Sequence, residues 1–125
     1  MSNYTLLIAD DEAIECAGIA GLVQEGFPQI RVLPSVHSSL ELIWSARKYH
    51  PDIILADINM PGMSGLEALE LLQKEGIHAK IIINTAYSYF SYAKKAVSLG
   101  AVDYLVKPMD REAFGQIMEK IIREL

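Results

Sequence analysis

One cysteine in 125 residues rules out an internal disulfide, so Cys16 cannot staple the chain. That usage suits a reducing compartment. No apolar run approaches the roughly 20 residues that a membrane-spanning helix needs. Met1-Ser2-Asn3-Tyr4 places no basic stretch ahead of an apolar one, so a secretory leader is not expected and the cytoplasm is. Basic residues are outnumbered, 11 Lys and Arg against 16 Asp and Glu, for a net charge of −5. An acidic chain gains little from phosphate backbones, so this domain is not expected to grip nucleic acid itself. Glycine-rich loops are missing after the first apolar run, which weighs against nucleotide binding. There is no low-complexity segment, charge block or linker. His37, His50 and His78 lack metal-ligand spacing and read as surface or turn residues.

What remains is a length that fits one domain, residues 1–125, with 51% apolar residues to build a single core. Five short apolar runs stand out: Tyr4 to Ala9, Val32 to Val36, Ile53 to Ala56, Lys80 to Asn84, and Val102 to Val106. They lack alternation, as expected of strands buried on both faces of a parallel sheet. Pro34 demotes the second towards an edge. Helical patterns lie between them. One follows Asp11 and stops near Gly26-Phe27-Pro28. Ser38-Ser39-Leu40-Glu41 and Ser64-Gly65-Leu66-Glu67 read as capping boxes, the second helix ending before Pro51 and the third at Gly76. Phe90, Ala93 and Val97 share a helical face that stops at Gly100. Phe114, Ile117, Met118, Ile121 and Leu125 repeat behind a cap at Asp110. Strand and helix thus alternate five times, which predicts an α/β fold with helices on both faces of a parallel sheet. Such sheets bind ligands outside the carboxyl ends of their strands.

The residues at those ends form a chemical set. Asp10 and Asp11 follow the first strand, Asp57 the third, Thr85 the fourth and Lys107 the fifth. Three carboxylates on one rim repel one another unless a cation sits between them. Oxygen ligands favour a hard ion, and a site with room for waters and phosphate favours magnesium. A carboxylate beside such an ion can attack phosphorus and form an aspartyl-phosphate. A lysine and a hydroxyl would neutralise and complete the shell around the transferred group. Alone, Asp10 or Asp11 reads as a helix cap, Asp57 as a turn residue and Lys107 as a surface charge. Their fall at successive strand ends is what singles them out.

The stretches Leu7-Ile8-Ala9-Asp10-Asp11-Glu12, Asp57-Ile58-Asn59-Met60-Pro61-Gly62-Met63-Ser64-Gly65, Thr85-Ala86-Tyr87 and Asp103-Tyr104-Leu105-Val106-Lys107-Pro108 occur in this order along the chain. In them the chain resembles the response regulator receiver family over its whole length. Tyr92-Ala93-Lys94-Lys95-Ala96-Val97 and Leu99-Gly100-Ala101-Val102-Asp103-Tyr104-Leu105 resemble the branch that carries an AraC-type DNA-binding domain. The resemblance implies a flavodoxin-like, doubly wound (βα)5 fold with strand order 2-1-3-4-5. It implies Asp57 as phosphoacceptor, charged by a sensor histidine kinase. It implies Mg2+ held by Asp57, by Asp11 directly, by Asp10 through water and by the backbone carbonyl of Asn59. Thr85 and Lys107 would bind phosphoryl oxygens, and Tyr104 would swing inward as Thr85 moves. The Lys107-Pro108 bond is implied to be cis. Position 87 is implied to border the path of attacking water, where a bulky Tyr87 would slow loss of phosphate. The output would be a surface made of the fourth helix, fifth strand and fifth helix. Transcriptional control would run through a DNA-binding domain beyond this chain, whose helical pattern continues up to Leu125.

Other readings stay open at this point. An aspartate-nucleophile phosphatase of the haloacid dehalogenase type wants a second acid two residues after the nucleophile, where Asn59 stands. An interaction module that ignores phosphate has no use for the intact five-residue set. Met118 and Ile122 suggest apolar surface on the last helix beyond what a core covers, which allows a homodimer through the fourth helix–fifth strand–fifth helix face; ordinary core packing is the alternative. Tyr89 and Tyr92 read as partner contacts or half-buried tyrosines. Trp44 and Met60 read as packing residues, and Cys16 as structural.

Overall fold

The apolar runs settle as strands β1 (Tyr4–Ala9), β2 (Ile30–Val32), β3 (Ile53–Ala56), β4 (Lys80–Thr85) and β5 (Asp103–Val106). Between and after them lie α1 (Ala13–Gly26), α2 (Ser39–Tyr49), α3 (Gly65–Lys74), α4 (Phe90–Ser98) and α5 (Arg111–Glu124). The computed structural model describes residues 3–86 and 90–125. All strand pairs are parallel and their order is β2-β1-β3-β4-β5, as the resemblance implied. The strand order reverses direction at β1 and β3, and the crevice outside their carboxyl ends is the natural ligand position of such a sheet. Among the described residues no helix is long and apolar enough to cross a membrane.

The strands carry unbroken apolar runs because both faces are covered. Leu7, Ala9, Ile54, Ala56, Ile81 and Ile83 pack under α2 and α3, with Ala96 and Leu99. Leu6, Ile8, Ile53, Leu55 and Ile82 pack under α1 and α5, with Ile19, Val23, Phe114 and Met118. Successive residues of one strand therefore enter different cores.

Local signals set the helix ends, with changes of partner. Ser38 accepts from the Glu41 amide at 3.2 Å, the first half of a capping box. The Glu41 carboxylate closes on the His37 amide at 2.8 Å, one residue earlier than the motif predicts. Ser64 accepts from Leu66 rather than from Glu67. Asp110 caps α5 through the Glu112 amide at 3.1 Å. The carboxylate at the start of α1 belongs to Asp10, which accepts from the Glu12 amide at 3.0 Å. Gly76 and Gly100 end α3 and α4 with φ of 84° and 76°, a left-handed turn that suits glycine.

Four expectations need correction. The second strand is Ile30–Val32, not Val32–Val36. It is an edge strand, as Pro34 predicted, and Val36 rejoins the sheet only as a bridge to Ala9. Proline has no N–H to donate, so the ladder breaks there. The face of Phe90 and Val97 points outward, at 81% and 74% exposure, while Tyr92, Ala96 and Leu99 face the core. α4 has apolar residues on more than one side, and the space between β4 and β5 chose among them. Met118 is fully buried and Ile122 packs against the same core, so α5 has little apolar surplus. Trp44 is 59% exposed, whereas Met60 is buried as expected.

Candidate functional site

Strand ends bring four of the five predicted side chains to one edge. Asp10 follows β1, Asp57 follows β3, Thr85 closes β4 and Lys107 follows β5. Asp10, Asp57 and Thr85 are buried, and the Lys107 side chain is 11% exposed. Backbone hydrogen bonds fix the frame: Asp57 N–H donates to the Ala9 carbonyl at 2.9 Å and Lys107 N–H to the Thr85 carbonyl at 2.7 Å. The Lys107-Pro108 peptide bond is cis.

One ammonium joins the buried acids. Lys107 Nζ donates to Asp10 Oδ2 at 2.7 Å and to Asp57 Oδ2 at 2.9 Å, with Glu12 Oε1 at 3.9 Å. Burial by itself would lower the Lys107 pKa. The hydrogen bonds and charges of Asp10 and Asp57 outweigh it, and the pKa stands above the ordinary lysine value. The second oxygens of both acids are held by main chain: Asp10 Oδ1 by the Glu12 amide and Asp57 Oδ1 by the Asn59 amide, each at 3.0 Å. Carboxylates so fixed do not rotate apart, although they repel.

Asp11 lies on the open side of this pair. Carboxylate oxygens of Asp10, Asp11 and Glu12 lie within 4.8 Å of one another, Asp10 buried and the other two exposed. In the sequence Glu12 is part of the motif after the first strand, and nothing there singles it out as a ligand. Its position at the N-terminal edge of α1 swings it back beside Asp10. Asp57 joins the group through Lys107, not through that triplet. An all-oxygen set of this kind suits a hard divalent cation and offers nothing to a soft one.

Behind Asp10 sits a contact that sequence spacing hides. The Asp10 carbonyl accepts from His37 Nδ1 at 2.9 Å and from the Cys16 thiol at 3.6 Å. A carbonyl only accepts, so His37 carries a proton on Nδ1. Burial, then the Asp10 charge among smaller influences, holds the Cys16 thiol above its ordinary pKa, which argues for a packing role.

Tyr104 is half-buried against Tyr92 and the α2–α3 side of the core. Burial first, then Tyr92 and the Asp57 charge, raise its pKa. Thr85 is fully buried on the strand next to it. Tyr87 and Tyr89 lie outside the described residues. A cleft of about 420 Å³ beside Asp57, lined by Asn59, Glu67, Tyr92 and Lys95 among others, carries none of the five predicted residues on its wall.

Gly65 bears on Asp57 from the start of α3. A Cβ there would overlap the Asp57 carbonyl oxygen and sit 3.1 Å from Ile58 Cα. Both are backbone atoms and cannot rotate aside. Gly65→Ala is expected to cost about 1–3 kcal/mol of stability, as overpacking does. A denaturant melt superimposable on the parent's would show that the loop yields freely.

A family described as response regulator receiver domain matches residues 6–119. The uncharacterized transcriptional regulatory protein YesN of Bacillus subtilis is 30% identical over 98% of this chain and 33% of its own length. The nitrate/nitrite response regulator protein NarL of Escherichia coli is 33% identical over 90% of this chain and 53% of its own. A solved REC domain of AraT, a response regulator from Geobacillus stearothermophilus, superposes with a TM-score of 0.87 at 30% identity, covering 97% of this chain and 94% of that one. The chain spans between a quarter and about half of the curated relatives' length.

Proposed function

The chain belongs to the response regulator receiver domain family, and on that premise we propose that residues 1–125 form a phosphoacceptor switch charged on Asp57 by a sensor histidine kinase. The observation that carries this reading is the single Lys107 ammonium bonded to Asp10 and Asp57 at the sheet edge. An Asp57 carboxylate oxygen attacks the phosphorus of a phosphohistidine; the new P–O bond forms as the P–N bond breaks, and the imidazole nitrogen keeps the electron pair. Lys107 follows the incoming phosphoryl oxygens, and the Thr85 hydroxyl donates to another. Asp10, Asp11, Asp57 and the Asn59 backbone carbonyl would hold Mg2+, with Glu12 close enough to take part. When bound, that ion neutralises the acids and the charge that gathers on the transferring group. Asp57 is the acceptor, and the domain assists its own phosphorylation and dephosphorylation without turning over a free substrate.

The test is intact-mass measurement after incubation with a small phosphodonor and magnesium. One acid-labile phosphate on the parent is expected; no mass gain under any magnesium concentration would end the reading.

Phosphorylation replaces the single negative charge of the Asp57 carboxylate with the about −1.5 to −2 charges of a phosphoryl group at the edge. That charge must favour one of two pre-existing arrangements, since equal affinity for both would shift nothing. The arrangements proposed differ in Thr85 and Tyr104: Thr85 moves to the phosphate and the Tyr104 ring fills the space vacated. The surface of α4, β5 and α5 changes with it. Phe90, Val97 and Val106, at 81%, 74% and 43% exposure, give that face the apolar patch a homodimer needs. α5 contributes less than expected, because Met118 is buried. A beryllofluoride complex, which mimics the phosphoryl group, should therefore turn Tyr104 inward and raise the mass in sedimentation as concentration rises. One Tyr104 pose with and without the mimic would end the swing, and a monomer throughout would end the dimer.

YesN and NarL are regulators that extend well beyond the region shared with this chain. The reading that follows is a cytoplasmic receiver that controls transcription through an AraC-type DNA-binding domain further along the full-length protein. Its net charge of −5 supports leaving DNA contact to that other domain.

A further inference from the structure

Asn84 is fully buried near the end of β4, and neither oxygen nor nitrogen of its side-chain amide has a hydrogen-bond partner among the described residues. An unpaired buried amide destabilises the fold, and an apolar residue of equal size would remove that cost. The fold therefore buries a polar group with no protein partner among the described residues.

Register says where the amide lies. Ile82 belongs to the core under α1 and α5, while Ile81 and Ile83 belong to the other. Alternation turns Asn84 to the α1–α5 side. β3 and β4 pair from Ile53↔Lys80 to Ala56↔Ile83, so the next step sets Asp57 opposite Asn84. On the other flank Asn84 pairs with Leu105, two residues before Lys107 and on the same side. Ala9 pairs with Ala56, which sets Asp10 beyond Asp57. Asp10, Asp57, Asn84 and Lys107 thus share one face at one sheet edge, on strands about 4.8 Å apart.

The Lys107 ammonium has three N–H donors, and Asp10 and Asp57 take two of them. A divalent cation sharing Asp10 would repel the ammonium from that acid. We propose that Asn84 is a positioning residue for Lys107: its Oδ1 accepts the N–H that Lys107 withdraws from Asp10 when the cation enters. Lys107 then stays on Asp57 with two partners, ready to meet a phosphoryl oxygen. This role rests on the phosphoacceptor reading above, because it needs a cation among Asp10, Asp11 and Asp57.

Asn84→Leu removes the acceptor at nearly equal volume, and Asn84→Asp keeps an acceptor oxygen in the same shape. Magnesium affinity by isothermal titration calorimetry, with denaturant stability in metal-free buffer, tests the role. Asn84→Leu should match or exceed the parent's metal-free stability yet bind magnesium roughly tenfold more weakly, the worth of one hydrogen bond to a charged group. Asn84→Asp should bind at least as tightly as the parent. Equal affinity in the parent and Asn84→Leu overturns the role and leaves Asp57 as acceptor untouched. A parent that binds no magnesium overturns both. Should the leucine variant fold poorly, the Asn84 side-chain amide resonances of the parent decide: they shift on magnesium addition if the role holds and stay fixed if it does not.

Discussion

With Asp57 replaced by alanine, the chain should take up no phosphoryl group where the parent is expected to gain one, a drop of at least about 100-fold in intact-mass signal for loss of a nucleophile. The neighbours do not substitute. Asp10 has one oxygen on the Glu12 amide and the other on Lys107, and it is fully buried. Asp11 is exposed and, among the described residues, forms no ion pair with the ammonium that would receive the phosphoryl oxygens. The variant should stay folded, since Lys107 keeps Asp10 as partner and one buried charge is removed rather than stranded. Uptake by Asp57→Ala at the parent's level would reassign the acceptor, and a circular dichroism spectrum unlike the parent's would call for Asp57→Asn instead.

Lys107→Met should lower stability as well as phosphoryl uptake. It strands two carboxylates with side-chain exposures of 1% and 6%. Removing one partner of a buried ion pair leaves uncompensated charge and costs about 3 kcal/mol or more. Magnesium should return part of that loss, because the cation replaces the missing positive charge. The pH course is also set. The folded pKa of Lys107 lies above its unfolded value, so its contribution is whole below about pH 10.4 and fades only as pH climbs through the raised folded value. The gap between parent and variant in metal-free urea melts should therefore stay flat from pH 7 to pH 9. A gap that closes across that interval, or a variant as stable as the parent, would contradict the pairing.

Much of this site was legible before any coordinates. Asp10, Asp57, Thr85 and Lys107 each follow or close a short apolar run, and a parallel sheet must gather the ends of such runs. Pro34 marked the edge strand because a missing N–H cannot be hidden in a central one. Glu12 was harder: it reads as a helix residue, and only the start of α1 places its carboxylate beside Asp10. Cys16 and His37 are 21 residues apart and meet only because β1 and the bridge at Val36 run side by side. In α4 the sequence pattern singles out Phe90, Ala93 and Val97, yet Tyr92 and Ala96 form a second apolar face, and packing turned that one inward. The outward one, Phe90 with Val97, is the one that carries the proposed partner surface.

Asn84 marks the boundary most clearly. In the sequence it is one polar residue in an apolar strand, with nothing to say which neighbours it meets. Sequence alone determined the strand and helix alternation, the buried runs and the acids and lysine at their ends, because burial and chain connectivity act on residues close together. Tertiary structure alone decided which helix faces turn inward, that one ammonium spans Asp10 and Asp57, and that Asn84 shares their sheet edge with no partner among the described residues. Those outcomes depend on register between strands far apart in the chain, where a shift of one residue sends every side chain to the other face.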